Sequence, residues 1–486
     1  MYARKLLLLS AALLLASGGL AAAPPATTFV LDPGYGTRGV ATFAWPVANG
    51  YAFWRTDVWA VPLAEASQRW VAMARLRIGS QEQGMTNWFE ANGTPVGSYN
   101  AGAPATPYGP GSWGGLNPAG LMLSWDTSLS FAQSRQLSAS DIDFRLLRLV
   151  PAGQGSYTFC SGDRFQDVAF NLAAGLAEDV PTAMARDAFG NTVMVGTLHG
   201  PTSGEERIGV ARILSGCGLD SAFNGNGRQV IDPNPFIAFP PARRARGNTL
   251  AFDNAGRLLI GGGVTYGSNI AADNGACIVV RLTASGQRDG SFGNNGVVYL
   301  DNPTTGVPGN FRCDVRGLAV QPDGKIVASM DFNLGGDENV SSTWSRRLND
   351  NGSVDAGWNG CCTVPFSNVQ SVAGDIARIE PDGVLLQTVN ELTRQIDVDD
   401  ARGTLRPLDA VGNFVDGFLP SPTTSQQLQP SVAYHRIVVE SPDAFRVLAT
   451  SGNDAQTHRL VHIVRYVRAS VLAQDRLFAN GFDPVP

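Results

Sequence analysis

Within Asn248 to Leu300 the chain reads TLAFDNAGRLLIGGGV, a variable stretch, then ACIVVRLTASGQRDGSFGNNGVVYL, and this text recurs. The first half returns as AMARDAFGNTVMVGTL from Ala183, GLAVQPDGKIVASM from Gly317 and DIARIEPDGVLLQTV from Asp375. The second returns from Gly209, Thr343 and Pro407. The turn glycines Gly190, Gly256, Gly324 and Gly383 are 66, 68 and 59 residues apart. A repeat of this length constrains the fold more than composition does, because each unit has to bury its faces against its own copies.

Each half is two apolar, β-branched runs split by an Asp/Asn/Gly turn, the pattern of a β-hairpin. Glycine or asparagine supplies the positive φ that such turns demand. A unit is therefore four antiparallel strands, A to D. No segment after the N-terminal apolar run holds a 3.6-residue period for a dozen residues, which speaks against crossover helices and a parallel sheet. Stacking four-stranded units radially buries their faces and protects their edges.

The expected fold is all-β, a closed β-propeller of seven four-stranded blades. The clear units are Ala183–Ile231, Asn248–Leu300, Val315–Phe366 and Ala373–Leu419. Weaker ones occupy Val58–Ala101, Ala119–Cys160 and Ser431–Leu472. Leu31 to Phe43, LDPGYGTRGVATF, reads as a C-D turn and D strand with nothing before it, while the last unit ends after strand C. The N-terminal strand is thus expected to complete the last blade, leaving no open edge. An open repeat array is the alternative.

LDPGYGTRGV, LDSAFNGNGRQVI, RDGSFGNNGVVYL and LAVQPDGKIVAS resemble the delta-60 repeat family of secreted bacterial proteins. The match is specific over residues 183 to 366 and looser over the rest of residues 24–472. What the resemblance implies is a propeller-like exported protein, with no catalytic residues to carry over. The tail 473–486, containing DRLFANGFD, is similar to a short C-terminal signature of exported bacterial proteins.

Residues 1–23 carry a basic start (Arg4, Lys5), an apolar run from Leu6 to Ala16 and a small-residue exit, as a secretory signal peptide does. Cleavage is expected near residues 21–23, giving a secreted, periplasmic or cell-surface protein with no transmembrane segment in the mature chain. The formal charge of −6 becomes −8 once Arg4 and Lys5 are removed, which disfavours nucleic acid as a partner. Six cysteines in an exported chain point to disulfides, with 15 possible full pairings, and no zinc spacing occurs.

In antiparallel order the short A-B and C-D turns share one face, and the longer B-C and D-A connections share the other. The longer set is Thr265–Gly275, Asp331–Ser342, Glu391–Arg402, Asp232–Gly247 and Asp301–Asp314. Variable connections on a rigid scaffold are where binding is expected. On that face Asp337, Glu338, Asp397, Asp399 and Asp400 could hold a hard cation such as calcium, although a calcium loop needs more ligands at fixed spacing. No cofactor is otherwise implied. Asn349-Asp350-Asn351-Gly352 reads as a plain turn. Arg243, Arg244 and Arg246 form a basic knot, read as loop and suited to a carboxylate or sulfated ligand.

No GxSxG elbow occurs. Among the four histidines, His458 and His462 read as strand, about 13 Å apart and unable to share a metal. The reading is a monomeric binding or interaction module for a protein or carbohydrate. The alternatives are a secreted carbohydrate-active hydrolase or lyase using carboxylates near a central channel, and a structural envelope protein.

Overall fold

The computed structural model describes residues 28–44, 51–52, 58–62, 69–78, 81–95, 116–125, 128–138, 141–153, 156–159, 165–170, 172, 177–199, 204–232, 242–266, 274–300, 311–334, 341–360, 369–393, 401–419, 432–452 and 459–472. The segment read as a signal peptide and the C-terminal tail lie outside them. The described chain is all-β, in small sheets built from consecutive antiparallel strands.

Unit 3 (Val180–Arg186, Thr192–His199, Glu206–Ile213, Arg228–Ile231) and unit 4 (Ala242–Phe252, Leu258–Tyr266, Asn274–Leu282, Val297–Leu300) each show strands A to D in order. Three strands are described for unit 5 (Phe311–Val320, Ile326–Leu334, Ser341–Leu348) and for unit 6 (Val369–Ile379, Val384–Thr393, Ala401–Leu408). Unit 7 holds Val432–Ser441, Ala444–Gly452 and Arg459–Arg468, and joins unit 6 through one parallel bridge, Arg402 to Val432. Unit 1 (Val58–Pro62, Trp70–Ile78, Gln81–Phe89) and unit 2 (Leu116–Trp125, Ser128–Ser138, Asp141–Gly153) have the same hairpin order. In unit 2 the long third strand also pairs with Ser156–Phe159 and Phe165–Val168, so this unit runs past the expected Cys160 boundary.

Two-residue alternation sends unit 4 to both neighbours. Leu258, Ile260, Ile278 and Val280 pack with Val193, Val195, Ile208 and Val210 of unit 3. Leu259, Cys277 and Val279 pack with Val315, Ile326, Ala328 and Met330 of unit 5. Units 5 and 6 share Ala319, Val327, Ile376 and Leu385, and units 6 and 7 share Leu386, Leu405, Val447 and Val464.

The N-terminal segment pairs where the sequence places it. Val40–Ala44 runs antiparallel to Arg459–Arg468, with Val40 opposite Val464, and Phe29–Leu31 continues along the same strand, Phe29 opposite Arg468. Strand Val58–Pro62 of unit 1 lies against the first two strands of unit 7.

The recurrent DxSF-type segment is an inter-unit clasp. In unit 4 the Asp289 carboxylate accepts the Ser291 N–H and pairs with Arg281 of strand C, whose guanidinium lies 4.5 Å from the centre of the Phe292 ring. Arg281 reaches on to the Asp350 carboxylate in the turn of unit 5, and Gly293 N–H donates to Asn351 O at 2.8 Å. Unit 3 repeats this with Arg212, Asp220, Phe223 and Asn224, and unit 5 with Arg347, Asp355, Trp358 and Asn359. Unit 6 has Pro407 and Val415 where units 3 to 5 carry the Arg/Asp pair.

Asn349–Gly352 is the plain turn expected, Gly352 N–H donating to Asn349 O, and its Asp350 pairs with Arg257 and Arg281. That pairing and the bond from Ser215 N–H to Asn191 Oδ1 put the A-B and C-D turns on one face, as expected.

Candidate functional site

On the opposite face the basic knot sits elsewhere than the sequence suggests. Arg243, Arg244 and Arg246 lie in strand A of unit 4, because its partner runs on to Tyr266 and the ladder pairs Arg244 with Thr265 and Arg246 with Gly263. Ala245 and its partner Val264 face the core, so the two flanking arginines share the other face by alternation. Strand B likewise takes up the start of three connections read as loops, at Thr265–Tyr266, Asp331–Leu334 and Glu391–Thr393.

Arg244, Arg246, Gly263, Val264, Thr265, Cys313 and Asp314 line a cavity of about 130 Å³ between units 4 and 5. Arg246 holds Glu206 of unit 3 bidentately, Nε to Oε2 at 2.6 Å and Nη2 to Oε1 at 3.1 Å. Arg244 donates Nε–H to Gly204 O at 3.3 Å. Gly263 has no substitute here: a Cβ at this position would collide with the Cys313 carbonyl oxygen and stand 2.7 Å from Asp314 Oδ1. Opposite Gly263 in the ladder is Cys277, disulfide-bonded to Cys313 of unit 5, with the two Cα atoms 4.7 Å apart. The bridge fastens strand A of unit 5 to unit 4 at one wall of the cavity. Cys217 is disulfide-bonded too, to a partner outside the described residues. Cys160, Cys361 and Cys362 also lie outside them.

Next to this cavity runs a feature that motif reading missed. Strand A of units 3 to 7 carries a β-bulge at one level, and the residues skipped by the ladder include Thr182, Asn248, Arg316, Asp375 and His435. Bulges re-aim side chains and gather beside functional sites. The first four each stand eight residues before the turn glycines 190, 256, 324 and 383. A polar residue at that fixed offset before each turn glycine is the signal that could have found the first four.

Thr182, Asn248 and Asp375 link unit to unit, while the bonds of Arg316 to Asp314 and Asp331 and of His435 to Thr450 lie within their own units. Thr182 Oγ1 donates to Gly247 O of unit 4. Asn248 Nδ2 donates to Asp314 Oδ1 of unit 5 at 2.8 Å. Arg316 bridges two carboxylates, Nε to Asp331 Oδ2 at 2.9 Å and Nη2 to Asp314 Oδ2 at 3.3 Å. Asp375 accepts N–H bonds from Ile376 at 2.9 Å and from Ile437 of unit 7 at 3.1 Å. His435 Nε2 lies 2.7 Å from Thr450 Oγ1.

Burial pushes the Asp331 carboxyl up to about 6, against the opposing pull of Arg316 and the Ala373 N–H, with Asp314 adding to the rise. Burial raises Asp375 as well, opposed by Arg436. A carboxyl that keeps its proton up to about pH 6, beside the carboxyl of Asp314, can serve acid/base chemistry or donate a hydrogen bond.

Asp337, Glu338, Asp397, Asp399, Asp400 and His458 lie outside the described residues, and among the described residues no group of three or more His, Cys, Asp and Glu side chains is arranged to hold a metal ion. His462 is buried on strand C of unit 7, between Thr42 Oγ1 at 3.0 Å and Ser451 Oγ at 2.7 Å. No described helix is long and apolar enough to cross a membrane.

No protein-family model matches the sequence, and no curated protein matches it. Among solved structures, it is similar to a protein of unknown function from Dyadobacter fermentans, at 11% identity over 70% of this chain and 91% of that one, TM-score 0.40. It is similar to the polysaccharide lyase Uly1, at 9% identity over 87% and 90%, TM-score 0.41. A third is the GH43 endo-arabinanase of Bacillus licheniformis, at 13% identity over 58% and 91%, TM-score 0.30. None of the three reaches a TM-score of 0.5, so the site has to be read from its own residues.

Proposed function

We propose that the seven units close into a β-propeller of the delta-60 kind, in an exported protein that binds a carbohydrate on the face bearing its B-C and D-A connections. The closure is supported by the packing of Val58–Pro62 on unit 7 and by the N-terminal strands on Arg459–Arg468. Export is supported by the Cys277–Cys313 disulfide. The observation that carries the ligand class is the row of bulge side chains, Thr182, Asn248, Arg316, Asp375 and His435, next to the cavity at Arg244 and Asp314. Hydroxyl, amide, guanidinium, carboxylate and imidazole groups at one level offer the mixed donors and acceptors that a polyhydroxylated ligand requires.

A second reading, a carbohydrate-active hydrolase or lyase, is favoured by one observation: Asp331, raised to about 6, shares Arg316 with Asp314. In it Asp331 supplies the proton and Asp314 the negative charge. Thermal melting against neutral and acidic oligosaccharides tests binding, since a ligand of the native state raises the midpoint. Incubation with the same panel, followed for reducing ends and unsaturated products, tests turnover. Asp331→Asn should abolish turnover and leave the melting shift. A flat response across the panel would overturn the carbohydrate reading.

A further inference from the structure

Resting on that binding reading, we infer that the cavity between units 4 and 5 is a subsite for a hydroxy-carboxylate, the uronate residue of an acidic polysaccharide. The two arginines at its rim are not equivalent. Arg246 has one edge of its guanidinium committed to both oxygens of Glu206. Arg244 is engaged through Nε alone among the described residues, which leaves the Nη1/Nη2 end of its fork to meet a carboxylate two-fold.

The anionic wall of the same cavity selects what else the ligand must carry. Asp314 receives Asn248 on Oδ1 and Arg316 on Oδ2, so its carboxylate is held in place with one lone pair on each oxygen to spare. A ligand hydroxyl can donate there. A bare sulfate or phosphate dianion would bring only acceptor oxygens to that carboxylate and be repelled by it. A carboxylate next to a hydroxyl satisfies both walls at once, the acid on Arg244 and the hydroxyl on Asp314. The side chain of Thr265 and the bare backbone at Gly263 line the space between them.

The test is calorimetric titration of the wild-type chain with oligogalacturonate and oligoglucuronate, and with neutral gluco- and arabino-oligosaccharides of equal length. A uronate oligomer should bind more tightly than its neutral counterpart, with an affinity that falls as salt rises. Arg244→Ala should weaken uronate binding roughly tenfold or more, and by a larger factor than it weakens neutral binding, with Arg244→Lys recovering only part of the uronate loss. Unliganded melting of each variant reports folding separately. Equal affinity for uronate and neutral oligomers, or full uronate affinity in Arg244→Ala, overturns the subsite while the carbohydrate reading stands. Binding of neither class overturns both.

Discussion

The guanidinium of Arg446, on the second strand of unit 7, lies 3.7 Å from the centre of the Trp70 ring in unit 1. The same group stands 4.5 Å over the Tyr35 ring of the N-terminal segment, donates to Tyr35 Oη at 3.2 Å and pairs with Glu440. One buried cation thus joins the last unit, the first unit and the segment that completes the last sheet. It occupies a level where unit 4 has Leu259 and unit 5 has Val327, so the seam is the place where the repeat departs from its own rule.

Arg446→Met should lower stability by about 1 to 3 kcal/mol in chemical denaturation, since it removes the cation held against the Trp70 and Tyr35 rings and one of the two arginines on Glu440, which keeps Arg465 at 3.0 Å. Deleting Leu31 to Phe43 should cut stability more sharply, because it also removes the strand paired with Val464. A deletion variant that melts at the wild-type temperature would exclude the closed ring.

The clasp arginines should differ among units. The Arg281 side chain is 1% exposed and Arg212 is 14% exposed, in the same motif. Arg281→Ala should therefore cost more, about 2 to 4 kcal/mol, through the loss of its buried bonds to Asp289 and Asp350, with Asp289 keeping Arg257 at 3.5 Å, and Arg212→Ala about 1 to 2 kcal/mol. Urea unfolding of both variants measures the ratio. Unit 6 has lost both partners together, Pro407 and Val415 standing at the two positions, which is what a buried pair requires of any unit that drops it.

Two buried groups titrate with opposite effects on stability. Asp331 is raised by burial to about 6. Between pH 4 and 6 the native chain therefore holds a proton that the unfolded chain has released. Its contribution is largest below pH 4 and is lost as pH rises, by about 3 kcal/mol in all. His462 is lowered by burial to about 4. The unfolded chain gains that proton first, so this contribution is full above pH 6.5 and is lost toward pH 4, also by about 3 kcal/mol. The two offset each other in the wild type. Relative to it, Asp331→Asn should lose stability on acidification from pH 6 to 4, and His462→Gln should gain. Urea midpoints at pH 4, 5, 6 and 7 give both slopes, and parallel profiles would remove the assignment.

The strand order, the turn face and the N-terminal pairing were legible because they rest on period and turn chemistry, which a repeat displays several times over. The site was less so. Arg244 and Arg246 looked like loop because charged residues in a strand contradict its apolar pattern, and only the length of the partner strand to Tyr266 reveals the ladder. Thr182, Asn248, Arg316, Asp375 and His435 share a backbone position but no chemistry, so no motif marks them. Asp331 was read as the edge of a loop, and its raised titration comes from burial in the folded chain, against the lowering pull of Arg316 and the Ala373 N–H, which spacing along one chain does not contain. The pairing of Cys277 with Cys313 likewise depends on which strands become neighbours.

That disulfide should act on the cavity as well as on stability. It closes a separation of 36 residues, for which loop-closure entropy alone gives about 4 kcal/mol. Both cysteines are buried, Cys277 opposite Gly263 and Cys313 next to Asp314, so the bridge fixes the gap across which Arg244 and Asp314 face a ligand. A Cys277→Ala, Cys313→Ala chain should unfold at lower urea and bind acidic oligosaccharides more weakly than its remaining native fraction allows. Gly263→Ala should reach the same phenotype with the disulfide intact, since its methyl group pushes the Cys313 carbonyl and Asp314 away. If the double variant loses stability yet keeps full affinity, the bridge serves folding alone and the cavity keeps its shape by packing.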